Sequence, residues 1–163
     1  MSDPWASLND RQRAYLRTLY DCDQQLEALR RDRAARGDWD RTPAQEWRWQ
    51  LYGPTEPPSQ LYRTLHAARL VDQGTGATWQ ALEDRGLAKC RDVLDAFGVP
   101  LLQVQITPKG RKTVRAATGE QRPKVSPKGQ LRERQWAALA RLYMSGARDH
   151  ETSHSLARIH NKY

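Results

Sequence analysis

Apolar residues recur along this chain in two periods, one near 3.6 and one near 2, and the changes of period mark its elements. Ser7-Leu-Asn-Asp10 offers Ser7 or Asn9 as a cap for the free N–H groups of a helix start, with Asp10 beside the positive helix end. Tyr15, Leu19, Cys22, Leu26 and Leu29 follow at steps of four, three, four and three, which predicts a helix to about Ala35 with one long apolar seam. Such a seam either packs within its own domain or pairs with the same helix of a second copy. Gly37 ends the pattern. Thr42-Pro43-Ala44-Gln45 then has the form of a capping box with proline in the first turn, predicting a short helix that carries Trp47, Trp49, Leu51 and Tyr52 and stops at Gly53-Pro54. Aromatic density of this kind either anchors a core, its commoner use, or stacks on bases.

After Pro57-Pro58 the run SQLYRTLHAARL places Leu61, Leu65 and Ala68 on one face of a third helix. The tract VDQGTG breaks it, and Thr75 to Arg85 resumes a helical pattern with Trp79 and Leu82 facing inward and Gly86 as the left-handed cap. LAKCRDVL and PLLQVQI, rich in Val, Leu and Ile, predict two strands of a hairpin whose loop runs from Ala96 to Pro100, with Gly98 letting the chain turn. Thr107-Pro108 opens a last helix of this region, carrying Lys109, Arg111, Lys112 and Arg115 to about Ala117. The predicted order is four helices, a hairpin and a helix.

Charge adds a direction to this pattern. Residues 1 to 106 hold 14 Lys and Arg against 15 Asp and Glu, whereas residues 107 to 149 hold 11 against 3, so nearly all of the formal charge of +8 sits in one stretch. A block of that kind attracts phosphates or another polyanion. No run approaches about 18 consecutive apolar residues, and MSDPWASLND has neither a basic leader nor an apolar segment behind it, which predicts a soluble, unexported chain with no membrane partner. Cys22 and Cys90 are the two cysteines and lack C-x-x-C spacing, so no disulfide framework or cysteine-rich zinc site is expected and a reducing cytoplasm is the natural compartment.

Residues 121 to 130, QRPKVSPKGQ, have the composition of a basic linker. Beyond it, LRERQWAALARLY repeats LNDRQRAYLRTLY at an offset of 123 with seven of thirteen positions identical, among them Leu131, Gln135, Leu139, Leu142 and Tyr143. The repeat suggests that a second helix-turn-helix unit begins there. The remainder, ETSHSLARIHNKY, reads as the second helix of such a unit and stops before a recognition helix, so the chain is either a piece of a longer protein or ends in a tail that docks on a partner.

The run ALEDRGLAKC, followed after the hairpin by VQITPKGRKTVRAA, is similar to the recognition helix, wing and closing helix of winged helix-turn-helix regulators, particularly those of the MarR and PadR families. The similarity covers roughly residues 58 to 117 and is carried by Leu82, by the Arg85-Gly86-Leu87 corner and by the Ile106-Thr107-Pro108-Lys109-Gly110-Arg111 junction. It implies a helix from Thr75 to Arg85 lying in the major groove, with the strand loop on the backbone or minor groove. In one respect the chain departs from that pattern: residues 59 to 106 hold five basic and five acidic side chains, so the expected reading surface is neutral.

The expected architecture is therefore mainly α with a small β-hairpin wing, a winged helix-turn-helix over residues 1 to 120, a linker over 121 to 130 and a helical unit over 131 to 163. The expected function is sequence-specific or structure-guided binding of double-stranded DNA, in transcription regulation or DNA maintenance. Gln73, Thr75, Thr78 and Gln80 are the candidates for base contacts. Arg63, Arg69, Lys109, Arg111, Lys112, Arg115, Lys124 and Lys128 are the candidates for phosphates, their bland alternative being a solvated charged face. A second partner is another copy of the chain, through the seam of Tyr15, Leu19, Cys22, Leu26 and Leu29. A winged helix that binds protein instead is the alternative function. Catalysis is not expected: the chain has no G-x-G-x-x-G, P-loop or G-x-S-x-G, and no cofactor is implied. His150-Glu151-Thr152-Ser153-His154 with His160 resembles the zinc motif of metzincin peptidases and is the remote alternative, but Ala157 replaces the glycine that turns the third histidine inward.

Overall fold

A computed structural model describes residues 3–38, 40, 42–71, 76–95, 97–121 and 133–144, which are mostly helical with one small antiparallel sheet. The chain divides into two compact units, Met1–Arg30 with Asp40–Arg122, and Arg31–Trp39 with Pro123–Tyr163. The last residues of the first helix thus group with the C-terminal segment and not with the domain that the helix opens.

In the first unit, α1 (Asp10–Arg36) starts at a reciprocal cap, in which Asn9 Oδ1 accepts from the Gln12 N–H at 2.8 Å and Gln12 Oε1 accepts from the Asn9 N–H at 3.2 Å. There follow α2 (Ala44–Trp47), β1 (Gln50–Tyr52), α3 (Gln60–Ala67), α4 (Ala77–Asp84), β2 (Ala88–Leu94), β3 (Pro100–Ile106) and α5 (Pro108–Thr118). Strand order is β1-β3-β2, both pairs antiparallel, with Gln50 opposite Val104 and Ala88 opposite Ile106.

Local chemistry sets most of these boundaries. Ser59 Oγ caps α3 by accepting from the Tyr62 N–H at 3.1 Å. The same 6→1 bond closes α3 and α4, from Leu70 N–H to Leu65 O and from Leu87 N–H to Leu82 O, each at 2.9 Å. Gly86 takes the left-handed position after α4, whereas after α3 it falls to Arg69, at φ 56°. Thr107 Oγ1 caps α5 through the Gly110 N–H at 2.9 Å and donates to the Gly86 carbonyl at 2.7 Å, fastening α5 to the end of α4.

The core gathers one face from each element: Tyr15, Leu16 and Leu19 of α1, Leu61 and Leu65 of α3, Trp79 and Leu82 of α4, Val104 and Ile106 of β3, and Val114 of α5 are all buried. Fully burying a large aliphatic or aromatic side chain contributes about 1.5–3 kcal/mol. Trp79 sits centrally, its ring centroid 4.9 Å from that of Tyr15 and 5.2 Å from that of Tyr52.

Several sequence expectations change here. Residues 50 to 52 form a strand rather than the end of a helix, because β3 offers an unpaired edge for Gln50 to Tyr52. The second helix is only four residues long, and Thr42 does not cap it; its hydroxyl donates to Asp40 Oδ1 at 2.6 Å. Ala68 lies past the end of α3 and is exposed. The seam of α1 is divided: Tyr15, Leu19 and Cys22 are buried in the chain's own core, Leu26 is half-buried and Leu29 is exposed. A second copy therefore cannot use the whole seam without unfolding the first unit.

Gly110 explains the glycine of the Thr107-Pro108-Lys109-Gly110 junction. A Cβ there would overlap the Leu87 carbonyl oxygen and come within 2.9 Å of Ile106 Cγ1, so α5 reaches the sheet corner only with a bare backbone. Gly110→Ala is expected to cost about 1–3 kcal/mol as an overpacking change, read as a lowered denaturation midpoint. A midpoint equal to that of the parent protein would disprove the close approach.

In the second unit, α6 (Glu133–Met144) leaves Trp136 60% and Tyr143 82% exposed. His150, His154 and His160, Lys124 and Lys128, and the tail proposed as a second helix of a repeat unit lie outside the described residues. Among the described residues, no helix is long and apolar enough to cross a membrane.

Candidate nucleic-acid interface

Helices α3 and α4 and the β2–β3 hairpin are consecutive in the chain, and their exposed side chains are the surface on which the sequence places DNA contacts. On α4 the exposed positions are Ala77, Gln80 and Asp84, followed by Arg85. Gln80 Nε2 donates to Asp84 Oδ1 at 3.0 Å, so its amide is turned along the helix toward a carboxylate. Thr78 faces the interior and is 8% exposed, which removes it from the candidate base contacts. Gln73 and Thr75 lie outside the described residues. Arg63 and Arg69 are both exposed, Arg63 Nη2 donating to Gln60 Oε1 at 2.7 Å.

The cations of α5 separate into two kinds. Lys109 and Lys112 are exposed, and Lys109 Nζ donates to the Arg85 carbonyl at 2.6 Å, placing its charge at the negative end of α4 beside Arg85. Arg111 is turned inward. Its Nη1 donates to the Ile106 carbonyl at 3.2 Å and lies 3.5 Å from Asp23 Oδ1. Burial pulls the Arg111 pKa down and the Asp23 charge opposes that shift. Arg115 is half-buried, with Nε donating to the Arg111 carbonyl at 3.2 Å. Lys109 and Lys112 are thus the accessible phosphate candidates of α5, and Arg111 belongs to the interior.

Asp23 is the feature that sequence reasoning missed. Its side chain is fully buried; Oδ1 accepts from Arg48 Nη1 at 2.5 Å and Oδ2 from Gln24 Nε2 at 3.0 Å. Arg48 continues to Glu27 Oε2 at 2.8 Å and lies over the Trp47 ring at 4.3 Å from its centroid. Burial alone would lower the Arg48 pKa, but the bonds to Glu27 and Asp23 outweigh it and the net shift is upward. The available signal was position: Asp23 follows Leu19 by four residues and so shares its buried face.

At the hairpin, Arg91 stacks on Trp49 at 4.3 Å from the ring centroid and donates to Gln103 Oε1 at 2.8 Å. The loop is organised by Asp95, whose Oδ1 accepts from the Phe97 and Val99 N–H groups, both at 2.8 Å. Phe97 is 92% exposed. No Lys or Arg occurs from residue 92 to 108, so the loop expected on the DNA backbone has no cation to place there.

Burial raises the Cys22 thiol to about 11 and the Cys90 thiol to about 12, which keeps both protonated at neutral pH. Among the described residues, no three His, Cys, Asp or Glu side chains converge as metal ligands. No protein-family model, curated protein or solved structure matches this chain.

Proposed function

We propose that the first unit is a winged helix that binds double-stranded DNA mainly through its phosphates. The observation that carries this proposal is the order α1-α2-β1-α3-α4-β2-β3 with sheet order β1-β3-β2, in which the helix pair α3 and α4 is followed by a hairpin that returns to the edge of the first strand. Arg63, Arg69, Arg85, Lys109 and Lys112 supply exposed charge on and around α3 to α5, and in the sequence further basic residues, among them Lys124 and Lys128, follow α5. Base readout is narrow. Gln80 is the one described candidate that remains, and it must exchange Asp84 for an adenine edge to act.

Each lysine that neutralises a phosphate contributes about one unit to the slope of log affinity against log salt. Lys109→Gln and Lys112→Gln in the full chain are each expected to flatten that slope by about one unit on any duplex, while Gln80→Ala alters the preference among sequences and leaves the slope alone. Unchanged slopes for both lysine variants would remove α5 from the interface.

A further inference from the structure

We propose that Asp84 is the base-reading side chain of α4, accepting from the exocyclic amino group of a cytosine in the major groove, with Gln80 as the residue that positions it. The inference rests on the DNA-binding reading above and names the base that this helix selects. Ala77, Gln80 and Asp84 follow one another at steps of three and four, which puts them on a single stripe of α4, and all three are exposed. Asp84 is the charged member of that stripe. The neighbouring carboxylate is employed elsewhere: Glu83 Oε1 accepts from the Cys90 N–H of β2 at 2.8 Å. Asp84 also stands in the last turn of α4, where the helix dipole favours a cation over a carboxylate, so the dipole does not account for an acid there.

The chemistry of the groove selects the base. An ionised carboxylate only accepts hydrogen bonds, and Gln80 Nε2 takes one of its acceptor positions at 3.0 Å, which fixes its direction along the stripe. Guanine presents O6 and N7, and thymine presents O4 and a methyl group, so neither edge gives Asp84 a donor. Adenine and cytosine each present an amino group, but adenine adds N7, an acceptor that repels a carboxylate placed beside it. Cytosine has no such neighbour on its own ring edge. Phosphates repel Asp84 as well, and the cations that meet the backbone are close in the structure: Arg85 follows directly, and Lys109 Nζ donates to the Arg85 carbonyl at 2.6 Å. Asp84 therefore weakens binding wherever no amino group faces it, and specificity comes from that exclusion as much as from the contact.

The test is enrichment of a randomised duplex pool by the full chain at low salt, with the bound fraction sequenced, for the parent protein, Asp84→Asn, Asp84→Ala and Gln80→Ala. Both positions are exposed, and circular dichroism of each variant checks that folding is unchanged. The parent is expected to favour cytosine about tenfold at one position of its site. Asp84→Asn sets a donor beside the acceptor and is expected to move that preference to adenine, with the other positions unchanged. Asp84→Ala is expected to lose the preference while binding mixed-sequence duplex at least as tightly as the parent. Gln80→Ala is expected to weaken the preference at the same position with cytosine still favoured, a base-resolved effect that a loss of stability would not produce. A parent that enriches duplex without favouring cytosine, or an Asp84→Asn variant with the parent's preference, would overturn this assignment alone. A parent that retains no duplex would overturn the DNA reading and this assignment with it.

Discussion

Asp23→Ala is expected to be among the most damaging single substitutions in the first unit, lowering folding stability by about 3–5 kcal/mol. The carboxylate is fully buried and holds Arg48 at 2.5 Å with Arg111 at 3.5 Å, so its removal leaves two largely buried guanidinium groups facing each other without an anion between them. Glu27 can satisfy Arg48 in part, at 2.8 Å, and its charge also favours the Arg111 cation, whose remaining hydrogen bond is to the Ile106 carbonyl. Chemical denaturation monitored by circular dichroism measures the loss. Asp23→Asn preserves the shape and separates charge from packing: a penalty close to that of alanine assigns the effect to charge. Adding Arg48→Met to Asp23→Ala should cost less than the sum of the two single changes, because the stranded cation is then gone. A loss below about 1 kcal/mol for Asp23→Ala would contradict the buried cluster.

Trp79→Ala is expected to cost about 3–5 kcal/mol, since it opens a cavity where α1, β1 and α4 meet. Tyr15 and Tyr52 both pack on this ring and on each other, with centroids 6.1 Å apart. Trp79 Nε1 is buried and has no hydrogen-bond partner in the structure. Trp79→Phe therefore loses ring volume without losing a hydrogen bond, and a cost on the order of 1 kcal/mol is expected. Equal penalties for Phe and Ala would show that the indole N–H, rather than the ring, is what the core requires.

The parts of the fold legible in the sequence are those with local chemical causes. Ser59 and Thr107-Pro108 start helices where they stand, Gly86 ends one, and the β-rich runs on either side of Gly98 form the hairpin with Ala88 opposite Ile106. What was not legible depends on distant partners. Residues 50 to 52 look helical because Trp47, Trp49, Leu51 and Tyr52 crowd together; they are a strand only because β3 arrives much later to pair with them. Asp23 reads as one more charge on a polar helix until Arg48 and Arg111 converge on it. The same dependence divides the candidate contacts. Lys109, Arg111 and Lys112 are indistinguishable as a basic run, but the helix turns Arg111 toward the core and leaves the two lysines outside. Thr78 is withdrawn for the same reason, since it lies beside Trp79 on the buried side of α4.

Fluorescence anisotropy of a labelled mixed-sequence duplex, titrated with the full chain across a salt series, tests the central claim most directly. Binding at low salt is expected to weaken with a log-log slope of about −4 or steeper, as four or more phosphate contacts require. Absence of binding at the lowest salt, or an affinity indifferent to salt, would contradict DNA as the partner of this domain.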